Sequence, residues 1–324
     1  MISLYKQGDE FGDNAALDEA IDVTRQSLAL VPLSERPLEW AESQNRLGAE
    51  LARLGWIERD PARIKEAVVA YREVLNEWPR LTIYTVDPQK IAGVEPKVLA
   101  ALMDMLNQQT QAVRSQWARI QINLGAALGM LGVLESGNKG HLDDAVAAYR
   151  AALDKWSRGS EPREWVAAQN GLGISLWSLG RREDGTKGDL EDAIAAFHAA
   201  LEVTIREREP LDWADTKTNL GIALVTLGER EGETERLAEA VKVHREALQE
   251  RSRIRGPVKW AETQVNLSLA LLTLFQRDRK PRYLDDALGA IDGALEEFRK
   301  AQASSCIKMA ERQRENILAA KGKL

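Results

Sequence analysis

The side chains able to do chemistry in this 324-residue chain are few and scattered. Its three histidines, His141, His198 and His244, are far apart, and the single cysteine, Cys306, lies beyond them all. A zinc site needs thiolates and imidazoles at close spacing, so no metal ligands are assigned. GVLESGNKG at 132–140 begins like a phosphate loop. Asn138-Lys139 stands where Lys-Ser/Thr is required, however, and no strand precedes it. The acidic run REDGTKGDLED at 182–192 lacks the alternating oxygen ligands and closing Glu of a calcium loop. Gly173-Ile174-Ser175 falls inside a helical pattern, not on a strand-to-helix elbow. No catalytic residue and no cofactor follows from these stretches, and the chain reads as a non-enzyme.

What recurs is tryptophan. Trp40, Trp117, Trp165, Trp213 and Trp260 are separated by 77, 48, 48 and 47 residues, the long step carrying an insertion of 29. A second marker, Ala20, Ala67, Ala145, Ala193, Ala240 and Ala287, steps by 47, 78, 48, 47 and 47, with the insertion in the same place. A fixed period of this size signals a stacked helical array. In the copy beginning at Pro210, a Pro opens the first half at a position where its missing N–H costs nothing. Trp213, Leu220, Ala223, Leu224 and Leu227 then follow at helical spacing, and Gly228 reads as a stop. After a polar stretch, Leu237, Ala240, Val241, His244, Ala247 and Leu248 restart the period. Two antiparallel helices per repeat follow. Neither buries its apolar stripe alone, so neighbouring pairs must stack.

Asn-Leu-Gly in the first helix, with Ala, then Tyr or Phe, then Ala in the second, resembles the tetratricopeptide repeat. The matching second-helix positions are Ala67, Tyr71 and Val74; Ala145, Tyr149 and Ala152; Ala193, Phe197 and Ala200; Ala240, His244 and Ala247; and Ala287, Ile291 and Ala294. The period exceeds the family's 34 residues, and the lengthened form is similar to kinesin-light-chain-like repeats. The resemblance implies an all-α, right-handed superhelical solenoid whose first helices line a concave face. Its parts are a half-repeat (1–36), repeat 1 (37–78), an insertion (79–113), repeat 2 (114–160), repeat 3 (161–208), repeat 4 (209–256), repeat 5 (257–300) and a C-terminal capping helix (301–324).

The ends and the insertion are the irregular parts. The array opens on half a repeat, which reads either as a natural cap or as the start of a piece severed from a longer enzyme or signalling protein. PRLTIYTVDPQKIAGVE after Trp78 reads as a loop with a short extended piece. From Pro96, Leu99, Leu102, Leu106, Val113, Trp117, Ile120 and Leu124 form one unbroken helical stripe, predicting a single helix over 96–131. Residues 80–112 thereby offer a surface for a homo-oligomer, a partner helix or the chain's own groove. In the C-terminal helix, Cys306, Met309, Ala310 and Ile317 are expected on the buried side. A net charge of −6 argues against a nucleic-acid partner. VLAALMDML is too short to span a bilayer, no secretory signal opens the sequence, and one cysteine fits a reducing, cytoplasmic setting.

The resemblance carries a set of groove positions onto this chain. Asparagine recurs at one place in three copies (Asn123, Asn219, Asn266) and one residue earlier in two (Asn45, Asn170). A side-chain amide both donates and accepts, so such a ladder holds an extended peptide's backbone whatever its sequence. Ile174, Trp177, Ile222, Val225, Leu269 and Leu272 make the C-terminal half apolar, suiting an apolar peptide or amphipathic helix. The paired Lys and Arg with which chaperone-binding members grip a C-terminal carboxylate are absent from the matching positions. The expected function is a non-catalytic protein-interaction scaffold, with self-assembly through 80–112 or regulation of a larger protein as the alternatives.

Overall fold

The structure, a computed structural model, describes residues 14–81, 95–135, 138–156, 158–159 and 161–323. The extended piece expected within 82–94 lies outside them. Among the described residues are twelve α-helices and no strand: α1 (Asn14–Leu30), α2 (Pro37–Glu58), α3 (Pro61–Leu81), α4 (Pro96–Leu134), α5 (Lys139–Lys155), α6 (Pro162–Gly180), α7 (Lys187–Val203), α8 (Pro210–Glu231), α9 (Thr234–Glu250), α10 (Pro257–Asp278), α11 (Arg282–Lys300) and α12 (Ser304–Lys321). This is an all-α repeat solenoid. The chain divides into two compact units, residues 1–171 and 172–324.

The helices start where proline and tryptophan dictate. The Trp40 amide donates to the Arg36 carbonyl, and Trp213 and Trp260 repeat that bond to Glu209 and Gly256. Each tryptophan therefore closes the first intrahelical bond behind a proline that needs none. The expected stop at Gly228 is not a stop. Gly228 lies inside α8, which ends at Gly232 with φ 74°; α2 and α10 end on left-handed Arg59 and Arg279. The repeated glycine has a packing reason instead. A Cβ on Gly48 of α2 would lie 2.6 Å from the Tyr71 ring of α3. The sequence Asn-Leu-Gly thus encodes a seat for the next helix's ring. In the fifth copy Ser268 replaces that glycine and Ile291 replaces the ring, a smaller knob in a shallower seat.

In the first unit each helix from α1 to α5 packs on the next, and α2 also meets α4. Leu17, Ile21, Leu51, Leu54, Ile64, Tyr71, Ile120 and Leu128 fill the shared core. α3 carries Pro79 in its last turn and runs to Leu81, past the break expected at Trp78. The predicted long helix is α4: 39 residues, about 58 Å at 1.5 Å per residue. Its part Gln111–Leu134 is long and apolar enough to cross a membrane by length and composition, with mean hydropathy 1.2. Ile120, Leu124, Ala127, Leu128 and Leu131 within it are buried.

In the second unit α7 to α12 pack in succession, and α10 meets both α8 and α12. α7 opens on a capping box in which Thr186 accepts from the Asp189 amide and Asp189 accepts from the Thr186 amide. Two arginine straps tie one repeat to the next. Arg206 donates to Glu250 at 2.7 Å while lying over Trp213, 4.7 Å from the ring centre. One repeat later Arg253 donates to Glu297 at 2.8 Å and lies over Trp260 at 5.0 Å. At the other edge Arg230 donates to the Gly185 carbonyl at 2.6 Å.

Candidate functional site

The expected groove residues separate into three environments. In the first unit Asn123 Nδ2 donates to Asn45 Oδ1 at 2.9 Å, so these two members of the ladder are bonded to each other. Asn170 is half-buried. Around them Arg119 pairs loosely with Glu164 at 3.6 Å, and Glu42 and Arg46 are exposed.

In the second unit Asn219 of α8 and Asn266 of α10 are half-buried, and neither side chain makes a hydrogen bond among the described residues. One turn further along these helices lie Ile222, half-buried, and Leu269, 39% exposed; Ile174, at the matching place on α6, is 43% exposed. Trp177 follows on α6. Its indole donates to Thr226 Oγ1 at 2.9 Å, and Arg181 lies over its ring at 5.0 Å.

Two expectations fail here. Val225 and Leu272 are buried, at 5% exposure each. A helix turns about 100° per residue, so the residue after Val225, Thr226, takes the surface place while Val225 points into the core. Met309, expected on the buried side of α12, is 53% exposed; Ala310 and Ile317 are the residues that pack.

Three polar groups are buried where the other copies carry other, mostly apolar, residues. His244 occupies the slot filled by Tyr71, Tyr149 and Phe197 in other copies, is fully buried, and neither ring nitrogen has a partner. Burial, assisted by the nearby Arg251 charge, pushes its pKa down to about 3, so the ring is neutral. Arg251 takes the place of Trp78, Trp156 and Phe298 at the end of the second helix. Its guanidinium is buried, donating to the Lys259 carbonyl at 2.9 Å, to Thr263 Oγ1 and to Asp215 Oδ1. In the first unit Glu50, 2% exposed, accepts from Thr24 at 3.3 Å and leaves its second oxygen unpartnered. Burial raises its pKa, with the Thr24 bond and the Arg46 charge acting against it. Glu50 is therefore a carboxyl held inside the first unit. Thr24 stands in the ring slot, and the room left by the missing ring admits the carboxyl.

Sequence reading missed the straps, although their signal is plain: Arg158, Arg206 and Arg253 each precede a repeat tryptophan by seven residues. It also missed a cleft of about 510 Å³ between α10 and α12, which no periodicity announces because α12 lies outside the repeat. Among the described residues no group of His, Cys, Asp and Glu could hold a metal ion.

Comparison with known proteins bears on the repeat. A tetratricopeptide repeat family model matches residues 213–253, one copy from its tryptophan to the strap arginine. No curated protein sequence matches the chain. Solved structures that match include a circular tandem repeat protein with novel repeat topology and enhanced subunit contact surfaces, at 16% identity over 96% of this chain and 73% of that one, with a TM-score of 0.30.

Proposed function

We propose that this tetratricopeptide-type repeat protein is a non-catalytic scaffold that holds an extended peptide across the first-helix face of its second unit. Tetratricopeptide repeats generally mediate protein–protein interaction. The observation that carries the finer reading is the pair of unpartnered amides, Asn219 and Asn266, at one register position beside Ile222 and Leu269. A half-buried amide without a partner leaves hydrogen-bonding capacity that a peptide backbone, with one donor and one acceptor per residue, can use. A helical partner satisfies its own backbone, so the amides favour an extended one. The 47–48-residue period supports the long, kinesin-light-chain-like form, and the lone Cys306 supports a cytoplasmic setting, which fractionation of a tagged chain tests.

The test is a library of random ten-residue peptides screened against the intact chain and against Asn219→Ala/Asn266→Ala. Selected peptides should bind the double variant at least tenfold more weakly while its melting transition stays in place. Unchanged affinity, or an unfolded variant, sinks the ladder.

A second reading, self-association, rests on α4. Val98 and Met105, one heptad apart, are 54% and 48% exposed, a short seam of the kind that pairs helices. Light-scattering mass of the intact chain and of one lacking 80–112 decides it: a dimer that becomes a monomer supports the seam, and two monomers remove it.

A further inference from the structure

We infer that α12 is exchanged between two copies of this chain: the turn after α11 straightens, and each copy's α12 packs on the other's α10 and α11. The observation that carries it is the connector Ala301-Gln302-Ala303 between α11 and α12. Every other connector between successive helices carries a proline or a glycine, inside it or at the first residue of the helix that follows. Proline breaks a helix interior and glycine weakens one, so those connectors resist joining two helices into one. Ala301-Gln302-Ala303 has neither, and alanine and glutamine are good helix formers. Gln302 is nevertheless held in the left-handed region, at φ 54°, which costs an L-residue free energy. Arg59 and Arg279 share that region, but Pro61 and Pro281, two residues on, keep their helices apart. At Gln302 nothing stops the chain from relieving the strain as one helix from Arg282 to Lys321.

α12 is also lightly held. Of its 18 residues Ala310 and Ile317 alone are buried, whereas α11 buries Leu284, Ile291, Leu295 and Phe298 among others. Three ion pairs between exposed side chains tie it to α11: Glu311 with Arg299 at 2.9 Å, Arg314 with Asp292 at 2.6 Å and Lys321 with Asp285 at 2.6 Å. Exposed pairs of this kind contribute little. α11 and α12 pack on each other across a three-residue turn and are therefore antiparallel. Two straightened helices laid antiparallel present each α12 to the other copy's α11 in the contact it makes within its own chain. A second copy is thus the partner that carries the matching surface ready-made. Exchange re-forms the same contacts and releases the turn, and short strained hinges invite it.

Ser304→Pro separates exchange from every other kind of dimer. Ser304 opens α12, and proline is tolerated at a first helical position. The preceding Ala303, at ψ 74°, already resembles Arg36, Glu209 and Gly256, which precede prolines at ψ 65°, 55° and 63°. The variant therefore keeps the closed turn and forbids the merged helix. Light-scattering mass of the full chain, held at millimolar concentration and then diluted, should show a dimer that returns slowly to monomer. Ser304→Pro should contain about a hundredfold less of it, the cost of an interior proline, with an unchanged melting transition. Gln302→Gly, which removes the left-handed strain, should shift the balance the same way and decides the matter should the proline variant unfold. Mixing Arg314→Asp with Asp292→Arg checks the contact itself. Each variant alone opposes like charges, whereas an exchanged heterodimer restores one native and one reversed pair, so the mixture should form more dimer than either. A mixture with no more dimer overturns the exchange, as does a chain that stays monomeric throughout. A dimer that survives Ser304→Pro overturns it too, and its loss on deleting 80–112 would assign it to the α4 seam. None of these results touches the amide ladder.

Discussion

Asn45 and Asn123 in the first unit bond to each other, whereas Asn219 and Asn266 in the second bond to nothing among the described residues. The difference comes from register. Asn45 sits one residue earlier in its helix than Asn123 does in its own, and one residue is a rotation of about 100°. Staggered amides on packed helices can turn towards one another. Asn219 and Asn266 share one register position and stand in rank, each facing outward. The ring slot varies from copy to copy instead: Tyr71, Tyr149 and Phe197 fill it, Thr24 leaves it open in the first unit, and the second unit's His244 fills the shape and leaves two nitrogens unbonded. Repetition thus specifies where a side chain stands, and its neighbours' offset specifies whether it is used up.

The largest effect should come from the ring seats. Gly48→Ala pushes a methyl into the Tyr71 ring and should lower the first unit's stability by about 3 kcal/mol, the upper range for overpacking. Adding Tyr71→Ile should recover most of it, because the fifth copy pairs Ser268 with Ile291. Chemical denaturation of the single and double variants checks this, and no recovery would mean that seat and ring are not matched. In the second unit a Cβ on Gly221 would lie 2.5 Å from the His244 ring, so Gly221→Ala should cost a similar amount despite the polar ring.

The two units should also respond to pH with opposite sign. The folded pKa of His244, about 3, lies below its unfolded value near 6.5. Its contribution is complete above pH 6.5 and is lost as pH falls towards 3, where only the unfolded chain takes up the proton. The slope approaches 1.4 kcal/mol per unit, about 2 kcal/mol by pH 5. His244→Phe should remove that slope and add about 1 kcal/mol at pH 7, since two unpaired buried nitrogens disappear. Glu50 runs the other way. Its folded pKa is raised, so its contribution is present at low pH and declines as pH rises through the raised value. Glu50→Gln should flatten the first unit's response. Hydrogen exchange of amides in α9 and in α2, followed against pH, reads the two units separately.

A smaller effect comes from a glycine without a seat. A Cβ on Gly289, exposed on α11, would meet no atom within 4 Å. Gly289→Ala should therefore stabilise the second unit by about 1 kcal/mol, the reverse of the seated glycines. A drop in melting temperature would show that α11 needs that flexibility.

These cases mark what the sequence makes legible. Helix pairs, their order and the long α4 follow from apolar periodicity and proline, because burial acts through spacing that a sequence displays. Which face a residue takes at a helix's margin is less visible: Val225 and Thr226 are adjacent, and one rotation decides between core and surface. The amide ladder could be placed by repetition, yet whether its members are free depends on neighbours from 78 residues away, as with Asn45 and Asn123. The α10–α12 cleft was illegible for a different reason: it joins a repeat to a helix that repeats nothing.

The amide contrast itself carries the smallest energy. A double-mutant cycle on Asn45→Ala and Asn123→Ala should give a coupling of about 0.5–1 kcal/mol, the usual net value of a side-chain hydrogen bond. The same cycle on Asn219→Ala and Asn266→Ala should give none, because those side chains share no bond. Repeating the second cycle with a bound peptide is the sharper half. If one peptide backbone is held by both amides, the two losses of affinity become non-additive, while stability without peptide remains additive. Coupling between Asn219 and Asn266 in the free chain would mean that they interact with each other after all, and the second unit would then use its amides as the first one does.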